Sequence, residues 1–500
     1  MQSISKRIFP WVVLVGAWAF AGSAAAQEAA PREAQGAPPS ADSARAATTA
    51  QDDTDTPLSA AANTGQESVG DVLPEPLRSW NGWRPWLSDK GLTLAATYQG
   101  DVLGNVAGGV RRGATYMGRL QTTLEFDPEQ ALGWKGGLLH VSSFQIHGVA
   151  MSPRFTGSIN QLSDLEAVAT TRLFELWFEQ RLPDKRLTLR VGQLAIDQEF
   201  FLSPFYGIAI GGAYGWPTIA TANLPSGGPA YPLAAPAARV KWAPDDHFTF
   251  LLGLFDGDPA GTGPGNPQQR NRYGTNFRLS DPPLLIAEGQ FGYDAGEKPG
   301  TIRLGGWRHF GKFADQRFSS DGLSLSAPSS NGLPLYRRGD FGLYAVFDQQ
   351  VWKRPNERES AAVAPGVNTG VYIFGRASIS PADRNPIDFY VDGGASFLGM
   401  IDGRPYDKFA FLGSYSKISP RLSAADFDAR FFSGNPTPVR AYEALVEATY
   451  SWRLAPGVFL QPNVQYVMHP GAGAADPLDP LGLRKPRNAT VVGLRTTIQY

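Results

Sequence analysis

The feature that most constrains this chain is an alternation of apolar and polar side chains with a period of two residues. In the segment 115–127, Tyr116 and Leu124 fall on one face, and Arg119 and Glu125 fall on the other. Successive side chains of a β-strand point to opposite sides, so this pattern predicts a strand with one apolar and one polar face. We therefore predict an all-β protein. The same alternation recurs in segments 174–180, 187–193, 238–242 and 442–452, and in the first of these it places Phe174 on the apolar face.

The N-terminus carries the marks of a secretory signal peptide. Lys6 and Arg7 precede an apolar stretch, Trp11–Phe20, and Ala24–Ala26 form a small-residue cleavage site before Gln27. The apolar stretch is shorter than the ~20 residues that a spanning helix needs. We predict a signal peptide over residues 1–26 and an exported protein. A chain without a spanning helix can still cross a membrane as a closed β-barrel.

The segment 27–79 is rich in alanine and is interrupted by prolines, and it contains no aromatic residue before Trp80. Such a composition cannot bury enough apolar surface to offset the entropy of ordering. We predict a disordered low-complexity linker, or periplasmic extension, that acts as a spacer. A partner-binding role is the alternative. The remaining 80–500 is predicted to form one barrel domain.

Several sequence features place the barrel in a Gram-negative outer membrane. Turn-rich stretches such as 258–274 and 471–487 separate the alternating segments, as the long loops of outer-membrane barrels do. Over residues 92–500, sixteen strands allow about 26 residues for each strand with its loop, and eighteen strands allow about 23. The final segment, 492–500, alternates and ends in Tyr500. It resembles the tail recognised by the barrel-insertion machinery. A soluble sandwich is the alternative.

Composition and motifs argue against several other classes of protein. Lys and Arg number 45 against 46 Asp and Glu, so the basic excess of a nucleic-acid binder is absent. The chain has no cysteine, which excludes a thiolate metal site, and only five histidines, which leave little room for a histidine-rich metal centre. We predict no cofactor and no metal site. Glycoside hydrolysis needs two carboxylates ~5–9.5 Å apart. Glu175 and Glu179 would lie ~13 Å apart on one strand, so we predict that the protein is not an enzyme.

Several longer stretches resemble the carbohydrate-selective porins, the OprB-like porins of Gram-negative outer membranes. The resemblance covers roughly residues 80–500 and implies a sixteen-stranded transmembrane antiparallel barrel through which small sugars diffuse. The stretches include 97–113 (TYQGDVLGNVAGGVRRG), 174–181 (FELWFEQR), 191–201 (VGQLAIDQEFF), 382–392 (ADRNPIDFYVD) and 461–470 (QPNVQYVMHP).

Charged and aromatic residues on the polar faces are the candidates for the pore wall. A charge on the lipid face near mid-bilayer costs ~2–4 kcal/mol for Arg or Lys, so these residues are predicted to face inward. Each lies either at a constriction or at a barrel rim. The candidates on these faces are Arg119, Glu125, Glu175, Trp177, Glu179, Arg190, Arg239, Lys241, Glu443, Glu447 and Arg495. Asp197 and Glu199, which follow the strand that ends after Gln193, form a second set of candidates for the substrate pathway.

Two loop features are open to more than one interpretation. The glycine-rich segment 207–215, with Tyr206 beside it, either folds into the barrel and narrows it or lies outside. Asp256 and Asp258 form either a simple turn, which we favour, or a calcium site.

We predict passive, carbohydrate-selective diffusion of monosaccharides and small sugars into the periplasm. A general or ion-selective porin on the same barrel is the first alternative, and an exported carbohydrate-active enzyme is the second. The expected partners are small sugars, outer-membrane lipid and the barrel-insertion machinery. Monomer and homo-oligomer both remain open, and nucleic acid is not expected.

Overall fold

The structure is a computed structural model that describes residues 68–69, 83–184, 186–355 and 367–500. The signal peptide predicted over residues 1–26 lies outside the described residues. So does the linker predicted over 27–79, except for Ser68 and Val69.

Sixteen antiparallel strands form a single closed barrel, which confirms the predicted fold class and strand number. Each strand pairs with its neighbours along the chain, and β1 pairs with β16 to close the sheet. The strands are β1 Leu92–Gly109, β2 Gly113–Phe126, β3 Gly137–Gly148, β4 Thr170–Arg181, β5 Leu187–Leu194, β6 Ala235–Trp242, β7 Phe248–Phe255, β8 Leu284–Asp294, β9 Pro299–Ser319, β10 Pro334–Lys353, β11 Gly370–Ile379, β12 Ile387–Leu398, β13 Lys408–Ile418, β14 Tyr442–Ala455, β15 Val458–Met468 and β16 Arg487–Gln499.

The α-helices are short, and within the described residues none is long and apolar enough to cross a membrane. The longest is capped at both ends by its sequence. The Ser419 side chain accepts a hydrogen bond from Leu422 N at 3.2 Å, and Gly434 ends the helix with a φ of 68°. The α-helices are α1 Trp83–Ser88, α2 Pro128–Leu132, α3 Thr218–Asn223, α4 Pro267–Arg270 and α5 Pro420–Ser433.

The alternation in the sequence becomes two surfaces of the barrel wall. On β2, Tyr116, Leu120 and Leu124 are exposed on the outside, whereas Met117 and Thr123 are buried inside. Exposed apolar side chains continue around the outer wall and form the belt that an outer-membrane barrel presents to lipid. Closure gives the backbone N–H and C=O groups of every strand a hydrogen-bonding partner. This is needed in a membrane because lipid cannot hydrogen-bond to an open edge.

The alternation fails at Phe174, which the sequence pattern places on the outer, apolar face of β4. The pairing of β4 with β3 shifts between Val141 and Ser143, where two β4 residues oppose one β3 residue. This β-bulge reverses the alternation, so that Phe174 packs inside against Phe144, with ring centroids 4.5 Å apart. The pattern-based prediction for Phe174 was therefore wrong.

The two ends of the barrel differ in the length of their connections. One end carries short turns, such as 456–457 between β14 and β15, and the other carries long loops, such as 195–234 and 256–283. Outer-membrane barrels have short periplasmic turns and longer extracellular loops, so the long loops lie at the extracellular end. β9 and β10 rise beyond their neighbours at that end, since β8 pairs with β9 only from His309 back to Pro299.

Charge on the outer wall should destabilise the barrel according to depth. We expect Leu120→Arg, in the middle of β2, to lower the free energy of unfolding by about 2–4 kcal/mol, because it places a guanidinium in lipid. Urea unfolding in lipid vesicles, followed by tryptophan fluorescence, measures the change. Leu132→Arg, at an exposed position of α2 in a periplasmic turn, is the matched control and should have little effect. Equal losses in both variants would contradict the assigned outer face.

Candidate functional site

Two extracellular connections fold back into the barrel instead of covering it from outside. The first inner loop, residues 149–169, joins β3 to β4, and the second inner loop, residues 195–234, joins β5 to β6. Both consist of short helical turns and bends. Most residues of the second inner loop are buried, and so are Leu162 and Leu165 of the first. The segment 207–215 thus lies inside the barrel, which is one of the two arrangements considered from the sequence.

Carboxylates hold the first inner loop in place. Glu443 on β14 accepts hydrogen bonds from the backbone N of Ile159 at 3.0 Å and of Asn160 at 2.9 Å. Within the loop, Glu166 accepts hydrogen bonds from Ser152 N at 3.1 Å and Ser152 Oγ at 2.8 Å. Burial raises the pKa of Glu166 to about 7, although the hydrogen bonds from Ser152 oppose the increase.

Carboxylates of the barrel wall hold the second inner loop in the same way. Glu447 on β14 accepts hydrogen bonds from the backbone N of Ile210 at 2.7 Å and of Gly211 at 3.0 Å. Glu288 on β8 accepts one from Phe201 N at 2.9 Å. The loop therefore crosses the interior from β5 to β14, and buried carboxylates satisfy backbone donors that lack strand partners.

The most extensively bonded side chain of this arrangement is Arg376 on β11, which is buried. It is paired with Asp392 on β12 and donates hydrogen bonds to the carbonyl oxygens of Phe201 at 3.0 Å and Tyr214 at 3.0 Å. The hydroxyl of Tyr206 donates a hydrogen bond to the same Asp392 carboxylate. One ion pair on the wall thus fixes three points of the second inner loop.

A second charged cluster joins three neighbouring strands to the same loop. Glu179, Arg190 and Arg239 lie side by side on β4, β5 and β6, and Glu179 contacts Arg190 at 2.6 Å and Arg239 at 3.0 Å. Glu199 of the second inner loop pairs with both arginines. Burial alone would raise the pKa of Glu199, but the charges of the two arginines outweigh burial and hold it below its usual range.

Trp177 lies beneath this cluster and is only 1% exposed. Its indole ring stacks on His140 with centroids 4.5 Å apart, and the Arg190 guanidinium lies 3.8 Å from the centroid of the indole. His140 Nδ1 is in turn 3.1 Å from Glu125 Oε1, and Glu175 lies beyond His140, with its carboxylate 4.0 Å from His140 Nε2. The stack therefore belongs to the packed wall.

A third cluster lies where β1 and β16 close the barrel. Arg495 binds both oxygens of Asp101 at 2.7 Å and also contacts Asp164 of the first inner loop. Arg119 lies 3.7 Å from Asp164 and donates a hydrogen bond to Gln99 at 2.6 Å. The side chain of Asp164 is 34% exposed and that of Arg119 is 12% exposed, so this pair is less deeply buried than Arg495 and Asp101.

The other predicted wall residues occupy different environments. Lys241 on β6 is half-buried. Asp197 of the second inner loop accepts a hydrogen bond from Tyr231 N at 3.0 Å. Burial raises the pKa of Asp197 to about 6, against the opposing effect of that hydrogen bond.

Asp256 and Asp258 belong to a turn, since Asp256 accepts hydrogen bonds from the backbone N of Asp258 and of Asp281, each at 3.2 Å.

Several members of these clusters were not among the residues predicted from the sequence. Asp101, Arg376 and Asp392 each lie on the buried face of an alternating strand, so the pattern that selected Arg119 could also have selected them. Asp164 lies in a loop without any periodicity. Nothing in the sequence alone marks its contact with Arg119, because that contact depends on the loop folding inward.

Comparison with known proteins identifies the family. Residues 111–500 match the family described as "Carbohydrate-selective porin, OprB family". The chain belongs to that family. It is therefore a carbohydrate-selective porin of the outer membrane, a non-enzymatic channel.

Curated relatives and a solved structure cover nearly the same part of this porin. It is 25% identical to Porin B of Pseudomonas aeruginosa over 446 residues, which are 84% of this chain and 90% of Porin B. It is 21% identical to the putative porin QuiX of Acinetobacter baylyi, over 85% of this chain and 92% of that protein. The high-pH structure of Pseudomonas putida OprB superposes with a TM-score of 0.73 at 20% identity, over 84% and 97% of the two chains.

The Arg376 pair should control how firmly the second inner loop is held in this porin. We expect Arg376→Met to lower the free energy of unfolding by about 3–5 kcal/mol, because Asp392 would remain buried without its counter-ion. A loosened loop should also raise single-channel conductance in planar bilayers. Arg484→Met, at an arginine whose side chain is 77% exposed, is the matched control and should change stability by less than about 1 kcal/mol. Unchanged conductance and stability in Arg376→Met would refute the fastening role.

Proposed function

We propose that monosaccharides and small sugars diffuse passively into the periplasm between the two inner loops and the barrel wall. The observation that carries this proposal is the inward folding of both loops, which narrows a wide barrel to a passage bordered by polar groups of both signs. Paired charges offer donors and acceptors to sugar hydroxyls without attracting ions of one sign strongly.

We assign different roles to the thirteen candidate residues according to their burial. Four are only partly buried, and we propose that they border the sugar path together with Asp164. The nine buried candidates position the wall and the inner loops, and we propose that they act on sugars only through the shape of the passage. The four are Arg119, Glu125, Glu199 and Lys241. The nine are Glu175, Trp177, Glu179, Arg190, Asp197, Arg239, Glu443, Glu447 and Arg495.

Weak contacts suit this function better than strong ones. A hydrogen bond exchanged between water and a protein group contributes a net ~0.5–1.5 kcal/mol. A few such contacts would orient a sugar and still release it quickly, as conduction requires. Arg119 and Asp164, 3.7 Å apart, place a donor next to an acceptor, an arrangement that fits two neighbouring hydroxyl groups.

We also propose roles for the two N-terminal segments and for the last strand, β16. Residues 1–26 would be removed on export, and residues 27–79 would extend into the periplasm as a spacer. The barrel-insertion machinery would recognise β16, on which Val492 and Leu494 face outward and Arg495 faces inward.

Liposome swelling tests the proposed selectivity for small sugars. We expect rapid swelling with glucose, slower swelling with a disaccharide, and slower swelling with an uncharged amino acid of glucose-like size. A porin that ranks these solutes by size alone would contradict preferential sugar permeation. Heat-modifiable migration on gels should confirm that the barrel is folded in every preparation.

The proposed border of the passage can be tested by removing two of its three carboxylates. Asp164→Asn combined with Glu199→Gln leaves a surplus of guanidinium charge, so we expect a shift toward anion selectivity and a few-fold slower uptake of glucose. Reversal potentials in a salt gradient and liposome swelling measure these changes. The matched control is Asp294→Asn with Glu297→Gln, which removes two exposed carboxylates at a periplasmic turn. The same result for both pairs would refute the assignment.

A further inference from the structure

Three cations project from the outer face of the extended hairpin formed by β9 and β10. Arg308 and Lys312 lie on the outward side of β9, and Arg338 lies on β10. All three are exposed, whereas the alternate residues Trp307 and His309 are buried inside. We call Arg308, Lys312 and Arg338 the cationic patch.

The cationic patch is unusual because it brings like charges close together. Lys312 and Arg338 are directly opposite each other in the strand register, where like charges are destabilising. No carboxylate in the described parts of the chain lies within salt-bridge distance of the three side chains. Neighbouring arginines of the same hairpin are paired, since Arg317 contacts Asp428 at 2.7 Å. Unpaired cations held this close together would be stabilised by an external anion.

The position of Arg308 relates the cationic patch to the membrane. Arg308 pairs in register with Leu285, one residue from the extracellular end of β8. The cationic patch therefore begins where the shared barrel wall ends, and Lys312 lies farther out, roughly 13 Å along the strand. Phe310 and Phe341, both exposed on the same face, accompany the cations. Cations with aromatic rings beside them are typical of the boundary between lipid and water.

An apolar groove lies on the same wall, on the membrane side of the cationic patch. Its volume is about 600 Å³, and Gly289 and Gly306 open it because neither carries a side chain. Leu304 borders the groove and shares the outward face of β9 with Arg308, four residues farther along the strand. The outward residues that line the groove are Val240, Trp242, Phe250, Leu252, Ala287 and Leu304.

We propose that the cationic patch and this groove bind a phosphorylated lipid of the outer leaflet. The lipid phosphate contacts Arg308, Lys312 and Arg338, and an acyl chain lies in the groove. Guanidinium and ammonium groups form charge-assisted hydrogen bonds with phosphate, which would offset the repulsion between Lys312 and Arg338. A membrane lipid fits better than a soluble anion, because the cations and the groove share one outward, lipid-facing wall.

The binding test uses the full-length porin in detergent and lipid A with both phosphates intact. Native mass spectrometry counts bound lipid. Chemically dephosphorylated lipid A has the same acyl chains and serves as the comparison. We expect retention of the phosphorylated form and at least about tenfold weaker retention of the dephosphorylated form, since basic residues near a membrane surface are attracted by its anionic groups. Equal retention would overturn the proposed role of the phosphate.

Neutralisation locates the site on the hairpin. We expect the triple variant R308Q, K312Q and R338Q to bind lipid A at least about tenfold more weakly than the unchanged porin. The exchange K312R with R338K keeps the charge and should keep binding. Unchanged binding by the triple variant would overturn the proposal. Heat-modifiable gel migration excludes misfolding as the cause of any loss.

The matched control removes the same number of charges at the opposite, periplasmic end. The control substitutions are K90Q, K135Q and R186Q, at three exposed positions beside short turns. We expect this variant to bind lipid A like the unchanged porin. An equal loss in the control would mean that net charge governs binding, and it would overturn the assignment to the hairpin.

Two further experiments distinguish a lipid site from a site for free phosphate. Gly289→Leu fills the groove without a close contact, because the nearest atom to an added Cβ would be 3.6 Å away, on Phe250. We expect this variant to bind lipid A several-fold more weakly. Millimolar inorganic phosphate should displace little lipid A, because it makes no contact with the groove. Normal binding by Gly289→Leu, or ready displacement by phosphate, would overturn the lipid assignment.

Discussion

Closure of the sheet between β1 and β16 is the constraint on which the rest of this structure depends. Lipid offers no hydrogen-bonding partner, so a wall with an open edge would leave a row of unsatisfied backbone groups in the membrane. Closure makes every strand an interior strand and assigns each side chain to lipid or to the interior. The exposed apolar belt and the buried polar faces are two consequences of the same ring of sixteen strands.

The polar interior in turn creates a problem that the inner loops solve. Buried carboxylates and guanidinium groups are costly unless they are paired and hydrogen-bonded. In this porin Glu443, Glu447 and Glu288 accept hydrogen bonds from the loop backbone, and Arg376 donates hydrogen bonds to loop carbonyl groups. The loop backbone also lacks strand partners, so wall and loops satisfy each other. The inner loops thus narrow the barrel because they are long and because their backbone and the wall side chains satisfy each other's hydrogen bonds.

The polar residues of the interior therefore fall into two groups that differ in burial. Deeply buried groups such as Glu179 and Arg190 are engaged with each other and with the second inner loop, which leaves them little freedom to meet a solute. Partly exposed groups such as Asp164 belong to the same networks but retain open sides. The hairpin of β9 and β10 shows a similar contrast. Arg317 is paired with Asp428, whereas no carboxylate among the described residues pairs with Arg308, Lys312 or Arg338.

The alternating pattern predicted the barrel and the inward side of residues such as Arg119, because a strand exposes its two faces with a fixed period. The number of sixteen strands was implied by the family resemblance and not by the pattern. The same rule misplaced Phe174, since a β-bulge depends on pairing with β3 and leaves no mark in the β4 sequence. The sequence by itself therefore determined the two-faced wall and the family. Only the tertiary structure decided that Trp177 is covered, that residues 149–169 and 195–234 fold inward, and that Asp164 meets Arg495. Those contacts join residues far apart in the chain, and local periodicity carries no information about them.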